Sequence, residues 1–322
     1  MGDVARLMRW DAKGGQPPEA FARLQSDPDF PRALRALARN MMEAGERDRA
    51  LDGIFKDAGR YVAAMCAAYL HASGGLTLPR LKELCASLGI LSVGRARALL
   101  LYLRYLGYVR PLPPVRGEPQ RYVPTDAFVQ TWRNHMRAAL GSVQIVEPAV
   151  EEPIGALDDA DVLDHFSKLH SENLFASART YDQQMAFFRV FPQRHAGSQI
   201  VWTILLQGSE RDCPPSGTVP FSVSAAARKF NVSRMHIKRL LNDAEREGLL
   251  RLEGGGTLAL TALGREQLVF VYSSQFLCLL DAAARTCRDK AELIARDALR
   301  SQAPPSSTGP ASHHVISESI PA

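Results

Sequence analysis

No unbroken apolar run of about 18–20 residues, the length that spans a bilayer, occurs in this chain of 322 residues. Its most apolar stretch, Leu268 to Ala284, is interrupted by Ser273, Ser274, Gln275 and Asp281 and reads as a packed helix, so no membrane partner is expected. The five cysteines, Cys66, Cys85, Cys213, Cys278 and Cys287, form no CxxC pair and have no histidine at zinc-ligand spacing, which points to reduced core thiols. GxxxxGK[ST], a GxGxxG after a strand, HExxH and GxSxG are all missing. Without them the chain offers no candidate catalytic centre, and the expectation is a non-enzyme with no cofactor. Asp161 and His165 share a helix face at i, i+4, but His170 falls off it, so surface histidines are the simpler reading and no metal is expected. The N-terminus, punctuated by Asp3, Arg6 and Arg9, does not read as a signal peptide, and a cytoplasmic location is expected.

A hydrophobic content of 46% allows more than one core, and at about 100–200 residues per domain the length suggests two. A net charge of +5 is too mild to argue for nucleic acid by its total. Its distribution says more: residues 1–140 carry 21 Lys/Arg against 13 Asp/Glu, residues 141–196 carry 4 against 9, and residues 197–300 carry 14 against 11.

The densest pattern lies at Asn231 to Leu250. Asn231 supplies a turn, Ser233 stands where a helix N-cap belongs, and Ile237, Leu240, Leu241 and Ala244 recur at helical spacing as a buried stripe. Arg234, His236, Lys238 and Arg239 are left on or near the open side. Upstream, Ser222 to Phe230 reads as a short Ser-capped helix whose alanines permit close approach, giving a helix-turn-helix. Downstream, Leu249 to Leu252 and Thr257 to Leu260 flank Gly254-Gly255-Gly256 as a hairpin, the wing, which carries Arg251.

The Val-Ser-Arg…Leu-Leu…Glu-Gly-Leu-Leu pattern of 232–250 resembles the recognition helix of GntR-type regulators. The exit Leu260-Thr261-Ala262-Leu263-Gly264-Arg265 is similar to that of MarR-type regulators. The resemblance covers residues 197–268. It implies a bacterial transcription regulator that inserts this helix in the major groove of double-stranded DNA.

Aligning Gly107 with Gly248 brings Ser92 onto Ser233, Arg95 onto His236, Arg97 onto Lys238 and Leu99-Leu100 onto Leu240-Leu241, so the pattern repeats. Leu78 to Leu88 reads as the first helix of this copy, stopped by Gly89, and Phe55 to His71 as its support. Two β-prone runs, Gly107 to Arg110 and Arg121 to Pro124, enclose a proline-rich wing on which Arg110, Arg116 and Arg121 would meet phosphates. The segment between its two helices reads as four residues longer than in the other copy. Its second helix is apolar at Leu99 to Leu103, which leaves a DNA surface and a protein surface both open.

The expected fold is mainly α with small β-hairpin wings, built as two winged helix-turn-helix modules with additional helices. The expected layout is an N-terminal helical segment at 1–50, a first module at 51–140, an acidic Pro-containing linker at 141–157, a second module at 158–300 and a disordered tail at 301–322. The aromatic stretch Phe166, Phe175, Tyr181, Phe187, Phe188, Phe191 and Trp202 reads as core rather than an effector pocket, and no effector is specified. The segment from Ala262 to Ala298 resembles by position the terminal helices through which MarR-type regulators form homodimers; packing on its own domain is the alternative. The functional expectation is sequence-specific transcription regulation, with Ser222, Ser233, Arg234, His236, Lys238, Arg239 and Arg251, and Ser92, Arg95, Arg97, Arg110, Arg116 and Arg121, as DNA contacts. The alternatives are a replication initiator with tandem winged helices and a protein-interaction scaffold built on them.

Overall fold

A computed structural model describes residues 6–11, 16–89, 92–180 and 185–302, with the side chains of 93, 179, 180 and 291–302 excepted. The described chain is mainly helical, with two small antiparallel sheets. Four helices lead: α1 (Pro18–Gln25), α2 (Phe30–Arg47), α3 (Arg49–Phe55) and α4 (Ala58–Ala72). Next come β1 (Leu76–Thr77), α5 (Leu78–Ser87), α6 (Val93–Tyr105), β2 (Val109–Pro111), β3 (Arg121–Pro124) and α7 (Asp126–Val143). Then α8 (Glu151–Ala156), α9 (Ala160–Thr180), α10 (Ala186–Val190) and α11 (Gly197–Gln207) precede β4 (Thr218–Pro220), α12 (Val223–Lys229) and α13 (Arg234–Arg246). The chain continues through β5 (Leu250–Glu253), β6 (Thr257–Leu260) and α14 (Ala262–Gln302).

One topology occurs twice. The series α4-β1-α5-α6-β2-β3-α7 and α11-β4-α12-α13-β5-β6-α14 have the same order, and their sheets read β1-β3-β2 and β4-β6-β5. The first strand of each sheet is an element that the sequence reading missed, because two or three residues are too short to show a period of two.

Local chemistry sets the boundaries in both copies alike. The hydroxyls of Thr77, Ser92, Ser222 and Ser233 each accept a backbone N–H in the first turn of α5, α6, α12 and α13, a cap that contributes about 1 kcal/mol. Gly107 and Gly248 then stop α6 and α13 at φ 71° and 72°, where a side chain would be strained. The threonine after each hairpin closes the unit: Thr125 donates to the Gly107 carbonyl at 2.7 Å and Thr261 to that of Gly248 at 2.6 Å. The segments joining the paired helices, 88–92 and 230–233, differ by one residue rather than four.

The remaining helices bind the copies into one body. Helix α2 packs on α7 and α11, while α9 packs on α14 and α4, and the buried apolar side chains form one continuous cluster from Leu7 to Ala284. Residues 141–157 are not a linker. They hold the end of α7, a 3-10 turn at Pro148–Val150 and α8, with Val143, Val146, Ala149 and Val150 buried. Glu147, which read as linker acidity, is wholly buried; it receives the Trp10 indole N–H at 3.0 Å and an Arg9 guanidinium N–H at 2.6 Å, with Arg6 at 3.6 Å. Its partners lie over a hundred residues away, so no local pattern announces them.

Helix α14 is a single element. Its section Ala262–Lys290 is long and apolar enough to cross a membrane, yet 78% of its most apolar window is buried inside the protein, where it serves as core. Leu268, Val271, Phe276, Leu279 and Leu280 are among those buried side chains and pack within the chain. Of the expected tail, Ser301 and Gln302 end α14 and residues 303–322 lie outside the described residues.

Candidate nucleic-acid interface

Helix α13 is held by three sides of its neighbourhood and open on the fourth. Asn231 takes φ 52°, a left-handed value that asparagine tolerates better than most residues, and this turns the chain sharply between α12 and α13. Ile237, Leu240, Leu241 and Ala244 are buried as the spacing predicts. One flank is docked on the segment around α10 by three contacts. His236 Nε2 donates to the His195 carbonyl at 2.7 Å, Arg194 pairs with Asp243 at 3.1 Å, and Arg189 pairs with Glu247 at 2.6 Å. His236 is therefore a docking residue rather than an open-face one.

Arg234, Met235, Lys238, Arg239, Asn242 and Arg246 face solvent. Among the described residues Arg234, Lys238 and Arg239 make no ion pair, whereas Arg246 is paired with Asp243 at 2.9 Å. Met235, 55% exposed, is the one large apolar side chain among these exposed residues. Met235, Asn242 and Arg246 were missed because the sequence reading looked for cations near the cap. The signal was present: all three lie opposite the stripe at helical spacing. Ser222 and Ser233 accept from their own helices, and each keeps its O–H to donate outward. On the hairpin Arg251 is exposed and only loosely paired with Glu253, at 3.9 Å.

The first unit is built alike and furnished differently. Helix α6 buries Ala96, Leu99, Leu100 and Leu103. Arg95, expected to be available, reaches the carboxylate of Asp57 at 2.9 Å, and Asp57 also caps α4 and pairs with Arg60 at 3.3 Å. Arg60 in turn lies 4.9 Å over the Tyr102 ring, completing a docked flank like that of α13. The positions that match Met235, Lys238, Arg239, Asn242 and Arg246 are Gly94, Arg97, Ala98, Leu101 and Tyr105. Leu101 is 49% and Tyr105 85% exposed, so the open face of α6 is apolar where that of α13 is polar. Ser92 caps α6, while Arg97, Arg110, Arg116 and Arg121 are exposed and make no ion pair among the described residues. Positive charge in this unit therefore sits at the edge of the helix and along the hairpin.

Elsewhere, His165 Nε2 lies 3.2 Å from Asp289 and His170 is buried, so the residues weighed as metal ligands are not gathered. Among the described residues there is no group of three or more His, Cys, Asp or Glu placed to hold a metal. Compared with protein-family models, curated proteins and solved structures, the chain matches none.

Proposed function

We propose that the protein is a sequence-specific DNA-binding transcription regulator in which the second unit acts as a winged helix, laying α13 in the major groove. The observation that carries this reading is the open face of α13: three cations that make no ion pair among the described residues, beside an asparagine and an exposed methionine, above a fully buried stripe. A cation free of carboxylates meets phosphate or a guanine edge without first losing a partner. Asn242 is suited to adenine and Met235 to a thymine methyl, while Ser222, Ser233 and Arg251 hold the backbone. Binding selection from genomic fragments, followed by Arg234→Ala, tests the assignment. The substitution is expected to cost roughly 1–3 kcal/mol on the selected site and little on random DNA. An equal loss on both makes Arg234 a phosphate contact, and no selected site at all defeats the proposal.

A second reading concerns the first unit alone. Leu101 and Tyr105 on α6 favour a protein-facing role for this copy, with its hairpin arginines as solvated charges. Binding that is unchanged by Arg97→Ala and Arg116→Ala favours that division of labour.

A further inference from the structure

Between the two units lies a cavity of about 270 Å³, walled by α2, α3, α4, α7, α9, α10, α11 and α14. Phe55, Val62, Phe175, Phe187, Phe188 and Leu279 make most of the wall apolar. Of the aromatic stretch that reads as core in the sequence, Phe166 and Phe191 are buried core, Phe175, Phe187, Phe188 and Trp202 line the cavity, and Tyr181 lies outside the described residues.

Four polar side chains in this wall stand out. The hydroxyl of Tyr61 and Nε2 of His135 are hydrogen-bonded at 3.1 Å. Nε1 of Trp202 is buried without a hydrogen-bond partner among the described residues, and so are Nδ1 of His135 and Nδ1 of His170. The histidine rings are only 3% and 4% exposed, so water does not compensate them from outside, and buried polar groups are ordinarily paired. Burial holds both imidazoles well below the usual range, at about 3 and about 4, so they are neutral at pH 7. The carboxyl group among the described lining residues, Asp57, is already occupied by Arg95, Arg60 and the start of α4.

We propose that this cavity is a binding site for a small uncharged ligand of one or two rings that carries a hydroxyl group. Size sets the ring count, because drug-sized ligands occupy about 300–1,000 Å³ and this space falls just short. Among the described lining residues an anion finds no cation, and a cation finds Asp57 engaged. A hydroxyl both donates and accepts, so it completes either histidine whichever ring nitrogen carries the proton. Binding is independent of the DNA reading, but its consequence rests on it. Asp57 in the wall holds Arg95 of α6, and α10, which supplies Phe187 and Phe188, holds the end of α13 through Arg189 and Glu247. An occupant that moves these walls acts on the docking of both exposed helices.

The test titrates the full chain at pH 7 with 2-naphthol and with naphthalene, by calorimetry and by quenching of tryptophan fluorescence. We expect one saturable site per chain, at least tenfold tighter for 2-naphthol. The double variant His135→Phe/His170→Phe is expected to erase that preference while still binding naphthalene. Ala139→Phe, which fills the space, is expected to abolish both while melting cooperatively; if it does not fold, Ser198→Phe fills the space from α11. No saturable binding of either probe, or undiminished binding in a folded filled variant, overturns the site. Equal affinities for the two probes overturn the hydroxyl assignment. Altered DNA affinity with 2-naphthol present tests the coupling separately: without DNA binding that arm fails while the ligand titration stands.

Discussion

On the proposed function, the salt dependence of DNA binding separates a chain with one reading head from a chain with two. Four side chains of the second unit, Arg234, Lys238, Arg239 and Arg251, are exposed, and only Arg251 has a carboxylate near, at 3.9 Å. With Arg234 on a base edge and each of the other three neutralising one phosphate, log K falls against log salt with a slope of about −2.7, at about −0.9 per contact. Raising salt from 50 to 200 mM then weakens binding about 40-fold. If Arg97, Arg110, Arg116 and Arg121 of the first unit also engage, the slope steepens to about −6 and the same step weakens binding about 6,000-fold. Fluorescence anisotropy of a labelled duplex across this range reads the slope directly. Lys238→Ala/Arg239→Ala is expected to flatten it by about 2, and Arg95→Ala to leave it unchanged, because Arg95 is held by Asp57. A flat response in the unsubstituted protein refutes the electrostatic reasoning and, with it, the interface. A slope that ignores the α13 substitutions refutes the placement.

Glu147→Ala leaves the buried Trp10 indole N–H without its acceptor, while Arg9, 40% exposed, regains water; the expected loss is about 1–3 kcal/mol in urea unfolding. Glu147→Gln keeps an acceptor and is expected to lose less, and an unchanged midpoint in both variants would return 141–157 to the status of a linker. Stability is also expected to fall with acid. His135 and His170 stay neutral in the folded protein down to about 3 and about 4, whereas the unfolded chain takes up protons below the ordinary 6.5. Between those limits each histidine favours unfolding by about 1.4 kcal/mol per pH unit, a stability fully present above about pH 6.5 and lost as pH falls. Replacing both by Phe should remove that part of the pH slope, and chemical unfolding at pH 7 and pH 5 measures it.

The parts of this fold that were legible in advance are those decided within a turn or two of helix. Ser92 and Ser233 cap, Ile237 to Ala244 alternate at helical spacing, and Gly107 and Gly248 stop their helices, so each signal sits beside its effect in sequence. The doubled topology followed from repeating those signals. The short strands β1 and β4 did not, because their edge is defined by the hairpin they join and not by their own residues.

Sequence alone therefore determined the paired helices α5-α6 and α12-α13, the serine caps of the last three and the recurrence of the pattern, because backbone groups and nearest neighbours suffice to set them, whereas α7 and α8 went unannounced. Tertiary structure alone decided which charges are spent. Arg95 and His236 look as available as Lys238 until the chain brings Asp57 and the His195 carbonyl against them. Glu147 looks solvated until residues of the N-terminus enclose it. Likewise the cavity belongs to eight helices at once, and no one of them encodes it. The reason is range: a helical period is read over a few residues, whereas a charge partner or an enclosed space depends on where the whole chain has gone.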